Sequence, residues 1–171
     1  MEAMECLLKR RSIRKYKSEQ IKDEELNAVL EAATYAPTAK NLQSPVIVAV
    51  QDKDDIAVMR KLNASVMGTE SDPFYGAPTV VVVFADSDNI NGVQDASLVL
   101  GNMMNAAYAE GLGSCWINRA RETFELPEGK ELMKKWGVDG RYAGVGNCIL
   151  GYTDGDEPEA KPRKADYIIK R

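Results

Sequence analysis

The sequence of 171 residues contains no histidine. Histidine is the side chain that most often acts as a general base near neutral pH, and it is also the commonest metal ligand. Its absence excludes Ser–His and Cys–His catalytic pairs, and we expect no metal site. An enzyme of this composition must rely on other acids and bases or take its chemistry from a cofactor.

Cysteine is scarce as well. The three cysteines, Cys6, Cys115 and Cys148, are odd in number and far apart, and they form neither a CxxC pair nor a zinc-binding pattern. This spacing predicts reduced, mostly buried thiols rather than disulfides. A reactive thiol at Cys115 is the less favoured alternative.

Long apolar runs and a positive net charge are also missing. No apolar stretch approaches the roughly 20 residues that span a bilayer. Glu2 and Glu5 interrupt the N-terminal region where a signal peptide would be apolar, so we expect a cytoplasmic protein that does not bind membranes. A formal net charge of −4 argues against general nucleic-acid binding, which needs a basic face.

The composition that remains, 44% hydrophobic and 28% charged residues, is typical of one globular domain spanning 1–171. Strand and helix patterns alternate and predict an α+β three-layer sandwich. The predicted strands are 46–50, 79–85, 113–117 and 143–151. The predicted helices are 1–10, 54–62, 94–110, 128–136 and one that starts at the N-cap Asp23 and is stopped by Pro37. Residues 63–76 are predicted to be irregular, and about 152–171 to form an extended C-terminal arm.

Positive charge is concentrated in two short segments near the two ends of this acidic chain. These basic segments are residues 9–17, KRRSIRKYK, and residues 161–164, KPRK. Arginine matches phosphate oxygens in a bidentate way, so we expect the two segments to meet around one phosphate-bearing ligand. A solvated cationic surface is the alternative for each segment taken alone.

Two further segments are polar or glycine-rich: residues 36–45, APTAKNLQSP, and residues 111–118, GLGSCWIN. In this order and spacing, the four segments resemble the FMN-dependent nitroreductase family over essentially the whole chain, from 4 to 167. The resemblance is specific for the family and for flavin, but not for the substrate. It implies a three-layer α/β/α sandwich whose central, mostly antiparallel sheet is flanked by helices. It also implies an obligate homodimer with FMN sites at the interface.

The resemblance assigns cofactor-binding roles to particular residues. Those that match positions around the FMN phosphate and ribityl chain are Arg10, Arg11, Lys161 and Arg163. Ser12 matches a hydroxyl that hydrogen-bonds the cofactor. Arg14 matches a basic position beside the N1–C2=O edge of the flavin, where a cation would favour the negative charge that reduction leaves there. Those that match a loop reaching the flavin from the other subunit are Pro37, Thr38, Ala39, Asn41 and Gln43.

Other matches lie against the flavin ring. Trp116, Ile117 and Asn118 match the family stretch that lies against the isoalloxazine ring, and a backbone amide near Asn118 would face flavin N5. A simple core or interface aromatic is the alternative for Trp116. Asn63 matches a polar position near the flavin pyrimidine, with an ordinary loop asparagine as the alternative. Asp95 and Asn102 are expected to be structural hydrogen-bonding residues rather than catalytic groups.

The implied activity is the transfer of two electrons from NAD(P)H through flavin N5 to an electron-poor acceptor by a ping-pong mechanism. The implied acceptors are nitroaromatics, quinones or flavins. In the alternatives, a protein with the same flavin-binding fold catalyses dehalogenation, ring oxidation or fragmentation of the flavin, or is a non-catalytic flavin-binding sensor. The short connection 86–93 leaves two possibilities for the acceptor pocket: it is open, or residues 64–75 form its lid. The chain has no GxGxxG motif, so the preference for NADH or NADPH is not predicted.

Overall fold

The computed structural model of the protein describes residues 2–171. The helices are α1 (Ala3–Lys9), α2 (Asp23–Thr34), α3 (Lys53–Met67), α4 (Gly92–Ala109), α5 (Ala120–Glu125) and α6 (Pro127–Lys135), with a single 3₁₀ turn at Ala39–Asn41. The strands are β1 (Val46–Val50), β2 (Thr79–Asp86), β3 (Gly113–Ile117) and β4 (Tyr142–Gly151).

The four strands form one antiparallel sheet in the order β1-β2-β4-β3. Side chains alternate along the central strand β2, because successive residues of a strand point to opposite faces. Val80, Val82 and Phe84 belong to a core shared with α3, α5 and α6, whereas Val81 and Val83 belong to a second core shared with α2 and α4. Helices therefore cover both faces of the sheet, which confirms the predicted α+β three-layer sandwich.

Several predicted boundaries differ from the structure. The prediction that 63–76 is irregular is wrong for its first five residues, because α3 continues to Met67 and ends at Gly68, which has a φ of +71°. The N-cap of α2 is Lys22 rather than Asp23, and the Lys22 N–H donates to the Glu25 carboxylate at 2.9 Å. The predicted helix 1–10 is observed as α1, and Met1 lies outside the described residues.

The short helix α5 was not predicted. It has only six residues, too few to show a helical period, and its buried face consists of Ala120, Thr123 and Phe124.

The basic segment after α1 runs along the outer edge of β3. Ser12 forms a parallel bridge with Ser114, and the Ile13 N–H donates to the Ser114 carbonyl at 2.9 Å. Further along, the Lys17 N–H donates to the Tyr152 carbonyl at 2.9 Å. Pairing with this edge fixes the position of residues 10–14 relative to β3, which lies within the glycine-rich segment 111–118. Among residues 2–171, no helix is both long and apolar enough to cross a membrane.

Candidate cofactor site

The two basic segments lie together, as the charge pattern predicts. They line one cleft of about 740 Å³. The charged or hydroxyl-bearing residues of this cleft are Arg10, Arg11, Ser12, Lys161 and Arg163. We call it the basic cleft.

One guanidinium nitrogen in the basic cleft lacks a partner. Arg10 Nη1 is buried, and no hydrogen-bond acceptor meets it in the described residues 2–171. A buried donor left unpaired costs about 1–3 kcal/mol, and more when it is charged. The residues present therefore fit an anionic group such as a phosphate.

The other arginines of the basic cleft are partly engaged by the backbone. Arg11 Nη1 donates to the carbonyls of Leu8 at 2.9 Å and Arg10 at 2.8 Å, which satisfies acceptors at the C-terminal end of α1. Arg163 Nη2 donates to the Lys161 carbonyl at 3.0 Å. These bonds leave other N–H groups of both guanidiniums available for a ligand.

A second cleft, of about 410 Å³, begins two residues further along the same segment, at Arg14. We call it the aromatic cleft. Its lining residues are Arg14, Met67, Ser71, Asp72, Pro73, Tyr75, Cys115, Trp116, Ile117, Asn118 and Arg119. Two residues of extended chain span only about 7 Å, so the two clefts are neighbours.

Trp116 forms part of the aromatic cleft and packs on the sheet behind it. A Cβ at Gly146 would lie 2.7 Å from the Cε2 and Nε1 atoms of the Trp116 ring, so this close approach to β4 requires glycine. Trp116 Nε1 is buried and has no hydrogen-bond partner within residues 2–171.

One wall of the aromatic cleft is a turn organised by Asp72. The Asp72 carboxylate accepts hydrogen bonds from the Phe74 N–H at 2.8 Å and the Gly76 N–H at 2.7 Å. Tyr75 has a φ of +53° in this turn, and its side chain is 43% exposed. Residues of the region 64–75 therefore form one wall of the aromatic cleft.

A second wall of the aromatic cleft is the turn between β3 and α5, and Asn63 forms hydrogen bonds with this turn. Asn63 lies on α3, is 0% exposed, and donates through Nδ2 to the Asn118 carbonyl at 2.8 Å. Arg119 Nε donates to Asn63 Oδ1 at 3.2 Å. The alternative that Asn63 is an ordinary loop residue is wrong, because it is a buried helical residue whose amide bonds both residues of the turn.

The predicted loop 37–43 lines neither cleft of its own chain. Lys40, Asn41 and Gln43 all have positive φ, at 55°, 53° and 50°, a strained conformation for residues other than glycine. The Ala39 N–H donates to the Asp95 carboxylate at 3.0 Å, and the Gln43 N–H donates to the Thr38 hydroxyl at 3.0 Å. The loop is therefore held in a strained shape on the surface.

Asp95 and Asn102 serve as structural hydrogen-bonding residues, as predicted. Asp95 is 3% exposed and accepts from Ala39 and, at 3.1 Å, from Asn89 Nδ2. Asn102 Nδ2 donates to the Ala32 carbonyl at 3.3 Å, which joins α4 to α2.

The cysteines are buried and unpaired, which confirms that prediction. Burial raises the pKa of the Cys148 thiol, so it stays neutral. Burial also raises the pKa of Tyr16, whose hydroxyl donates to the Ile13 carbonyl at 2.7 Å. Both groups therefore act as uncharged packing residues behind the site.

Sequence reasoning missed several residues of the aromatic cleft: Met67, Ser71, Asp72 and Arg119. The signal for Asp72 was available, since an aspartate before proline often begins a turn. Arg119 carried no signal, because only the shape of the turn after β3 brings it to the cleft.

Comparisons with known proteins agree with this geometry. The model of the Nitroreductase family matches residues 7–73 and 63–152. A Thermus thermophilus protein named NADH dehydrogenase is 38% identical over 150 residues, which are 88% of this chain and 67% of that protein. An Archaeoglobus fulgidus protein named as an NADH dehydrogenase/NAD(P)H nitroreductase is 32% identical over 121 residues, 68% of this chain and 67% of that protein. A crystal structure of a Bacteroides fragilis nitroreductase with bound FMN is 28% identical and superposes with a TM-score of 0.91, covering 99% of this chain and 98% of that one.

Proposed function

The chain belongs to the nitroreductase family, and from this premise we propose that it is an FMN-dependent oxidoreductase that moves two electrons from NAD(P)H to an electron-poor acceptor. The observation that carries the proposal is the buried, unpartnered Arg10 Nη1 in the basic cleft. The bound FMN of the similar Bacteroides fragilis protein and the names of the two curated relatives support the same cofactor and donor.

The residues proposed to hold FMN divide between the two clefts. Arg10, Arg11, Ser12, Lys161 and Arg163 would bind the phosphate and ribityl chain. Arg14 would lie at the pyrimidine edge, and Trp116, Ile117 and Asn118 would contact the ring. When bound, FMN would supply the redox chemistry, a two-electron transfer from NAD(P)H to the acceptor.

The protein groups have two tasks in this scheme. The Arg14 guanidinium would stabilise negative charge at the flavin edge, and the Asn118 backbone amide would provide a fixed donor for flavin N5. A backbone amide does not titrate, which suits a chain without histidine. Donor and acceptor use the aromatic cleft in turn, so the reaction follows a ping-pong course. The proposed acceptors are nitroaromatics, quinones or flavins.

The site is proposed to be completed by a second copy of the chain. The loop 37–43 is strained and exposed yet lines neither cleft of its own chain. Apolar side chains near it and on α4 are also exposed: Tyr35 by 77%, Leu42 by 57%, Val93 by 58% and Leu98 by 48%. Exposed apolar surface of this kind is typical of an oligomer interface. A homodimer with two equivalent FMN sites would bury this surface and place each loop at its partner's clefts.

The test is an anaerobic visible spectrum of the protein incubated with FMN and freed of excess cofactor, before and after addition of NADH or NADPH. We expect flavin absorbance that either nucleotide bleaches, and turnover when a nitroaromatic or quinone is added. A protein that stays colourless would contradict the proposal. Bound flavin that neither nucleotide reduces would favour a sensor.

Arg10→Ala tests the observation behind the proposal. Loss of a charge-assisted hydrogen bond of about 1.5–3 kcal/mol should weaken FMN binding by roughly 10- to 150-fold. Lys17→Ala is the matched control, because Lys17 belongs to the same basic segment but lines neither cleft. Equal FMN affinity in the two variants, measured by fluorescence titration, would refute the role of Arg10.

A further inference from the structure

We propose that Arg119 recognises an anionic group on the acceptor, so that the preferred acceptors are electron-poor aromatic compounds bearing a carboxylate or a similar oxyanion. This inference rests on the proposed function and names the substrate class of the same site. It assigns Arg119 a role in acceptor specificity rather than in cofactor binding.

The position of Arg119 gives it access to a ligand in the aromatic cleft. Arg119 directly follows Asn118, where β3 has just ended, and its half-buried side chain lines the cleft of about 410 Å³. Tyr75 lines the same cleft and is 43% exposed, so an aromatic ligand there has a ring to stack on.

The charge of the aromatic cleft favours an anion. Its lining contains two guanidiniums, Arg14 and Arg119, and one carboxylate, Asp72. Asp72 is already engaged by two backbone N–H groups and by Arg60, whose Nε lies 2.9 Å from Asp72 Oδ1. With Arg14 proposed for the flavin edge, Arg119 is the remaining cation that lines this cleft.

The backbone conformation of Arg119 is evidence that its side chain has a function. Its φ of +70° and ψ of +16° lie in the left-handed region, where glycine is free of strain and other residues are not. Strained residues of this kind cluster at active sites and ligand clamps, where the surrounding structure holds them in place. Glycine would adopt this turn without strain. The presence of an arginine here therefore indicates that its side chain has a function.

A hydrogen bond with Asn63 also orients the Arg119 side chain. Asn63 has to direct Nδ2 toward the Asn118 carbonyl, so its Oδ1 faces Arg119 Nε and accepts at 3.2 Å. This is the only side-chain hydrogen bond of Arg119 within residues 2–171, and it leaves both Nη groups open. Two parallel N–H donors on a fixed guanidinium match a carboxylate in a bidentate way.

The experiment compares two acceptors of nearly equal shape, 4-nitrobenzoate and 4-nitrobenzamide, with the FMN-loaded enzyme and saturating NADH. We expect wild type to favour the acid in kcat/KM. Arg119→Gln should lower the acid-to-amide ratio of kcat/KM about tenfold, through loss of a charge-assisted bond to the acid. Arg121→Gln is the matched control and should leave the ratio unchanged, because Arg121 is an exposed arginine on α5 that pairs with Glu125 at 3.1 Å and does not line the aromatic cleft.

A second variant distinguishes the loss of the Arg119 charge from damage to the fold of the turn. Arg119→Gly removes the guanidinium together with the backbone strain, so the same loss of preference in this variant cannot be attributed to a damaged turn. Raised ionic strength should lower the acid-to-amide ratio of kcat/KM in wild type, because salt screens the charge of the Arg119 guanidinium. The ratio in Arg119→Gly should not change.

Three outcomes would overturn the proposal. Equal kcat/KM for acid and amide in wild type would remove the anion preference. A changed NADPH-to-NADH preference in Arg119→Gln with an unchanged acid-to-amide ratio would assign Arg119 to the donor phosphate. Loss of FMN from Arg119→Gln would assign it to the cofactor. In each case FMN binding and reduction by nucleotide in wild type would still stand, whereas failure of the proposed function would appear as absent flavin or absent NAD(P)H consumption.

Discussion

Arg14 lines a different cleft from the two arginines that precede it in the same basic segment. Arg10 and Arg11 line the basic cleft, whereas Arg14 lines the aromatic cleft, and its side chain is exposed there. Its closest protein acceptor is the Ser12 carbonyl, 3.5 Å from Nη1, at the outer limit for a hydrogen bond. The guanidinium is therefore held only loosely by the protein and is available to a ligand.

Replacement of Arg14 by alanine should weaken FMN retention and slow flavin reduction by NADH. A favourable charge interaction of about 1.4 kcal/mol at the reduced edge corresponds to roughly tenfold in rate. Anaerobic stopped-flow absorbance measures the rate, and Lys15→Ala is the control, since Lys15 pairs with Asp154 at 2.9 Å and lines neither cleft. Unchanged flavin content and unchanged reduction in Arg14→Ala would refute its role.

At the scale of elements, helix α3 connects the core to the site. Its first turn carries Asp55, 7% exposed, which accepts from Lys135 Nζ at 2.6 Å and from Trp136 Nε1 at 2.9 Å. Its later turns carry Asn63, which holds the turn at Arg119. The hydrogen bonds that Asp55 accepts therefore fix α3 to α6, and through α3 they support the wall of the aromatic cleft.

The Asp55 contact should make stability depend on pH in the acid range. Burial acts to raise the pKa of Asp55, but hydrogen bonds from Lys135 and Trp136 outweigh it and lower the pKa below its ordinary value. Because the folded pKa is lowered, the stabilisation is present above the unfolded value of about 3.9 and is lost as pH falls through the folded pKa.

Asp55→Asn tests this dependence. At neutral pH the variant should lose about 1–3 kcal/mol of unfolding free energy, and the difference from wild type should shrink below about pH 4. Urea unfolding at a series of pH values measures it. Asp54→Asn is the control, because Asp54 is exposed on the same turn. A difference from wild type that stays constant with pH would contradict the ionic role of Asp55.

At the scale of the whole molecule, two groups of apolar side chains are exposed on the surface. Met4, Leu7 and Leu8 on α1 are exposed by 64%, 58% and 67%. The C-terminal residues Tyr167, Ile168 and Ile169 are exposed by 77%, 74% and 72%. A single chain gains nothing from this exposure, and a dimer would bury part of it.

Subunit mixing tests whether each site is shared between two chains. Arg10→Ala damages the basic cleft, and Gln43→Trp adds bulk to the exposed loop 37–43, so each variant alone should form dimers with two damaged sites. Random mixing should restore about one quarter of the sites, since half of the dimers are mixed and each has one intact site.

Recovery is measured as FMN-dependent NADH oxidation after the two variants are mixed, partly unfolded and refolded together. Each variant refolded alone is the control and should show no recovery. A monomeric mass by sedimentation, or mixed dimers without recovered activity, would contradict a shared site.

Much of the site could be predicted from residue types that have few other uses. Two arginine-containing segments in an acidic chain predict an anion site, and Arg10, Ser12, Lys161 and Arg163 do line one cleft. The fold could be predicted because β-branched runs such as 79–85 favour strands strongly. The end of α3 could not, because Asn63, Ser65 and Val66 have weaker helix propensities than the residues of the turn before them.

The strands, most of the helices, the resemblance to the family and the meeting of the two basic segments could be predicted from the sequence, because apolar periodicity, motif residues and charge clusters are local features. Contacts between polar groups that are distant in the chain could not, because they depend on how the elements pack. Asn63 and Arg119 are 56 positions apart, and no local pattern joins them. Their contact, and the left-handed turn at Arg119, exist because α3 packs against α5 and positions one buried amide under the end of β3.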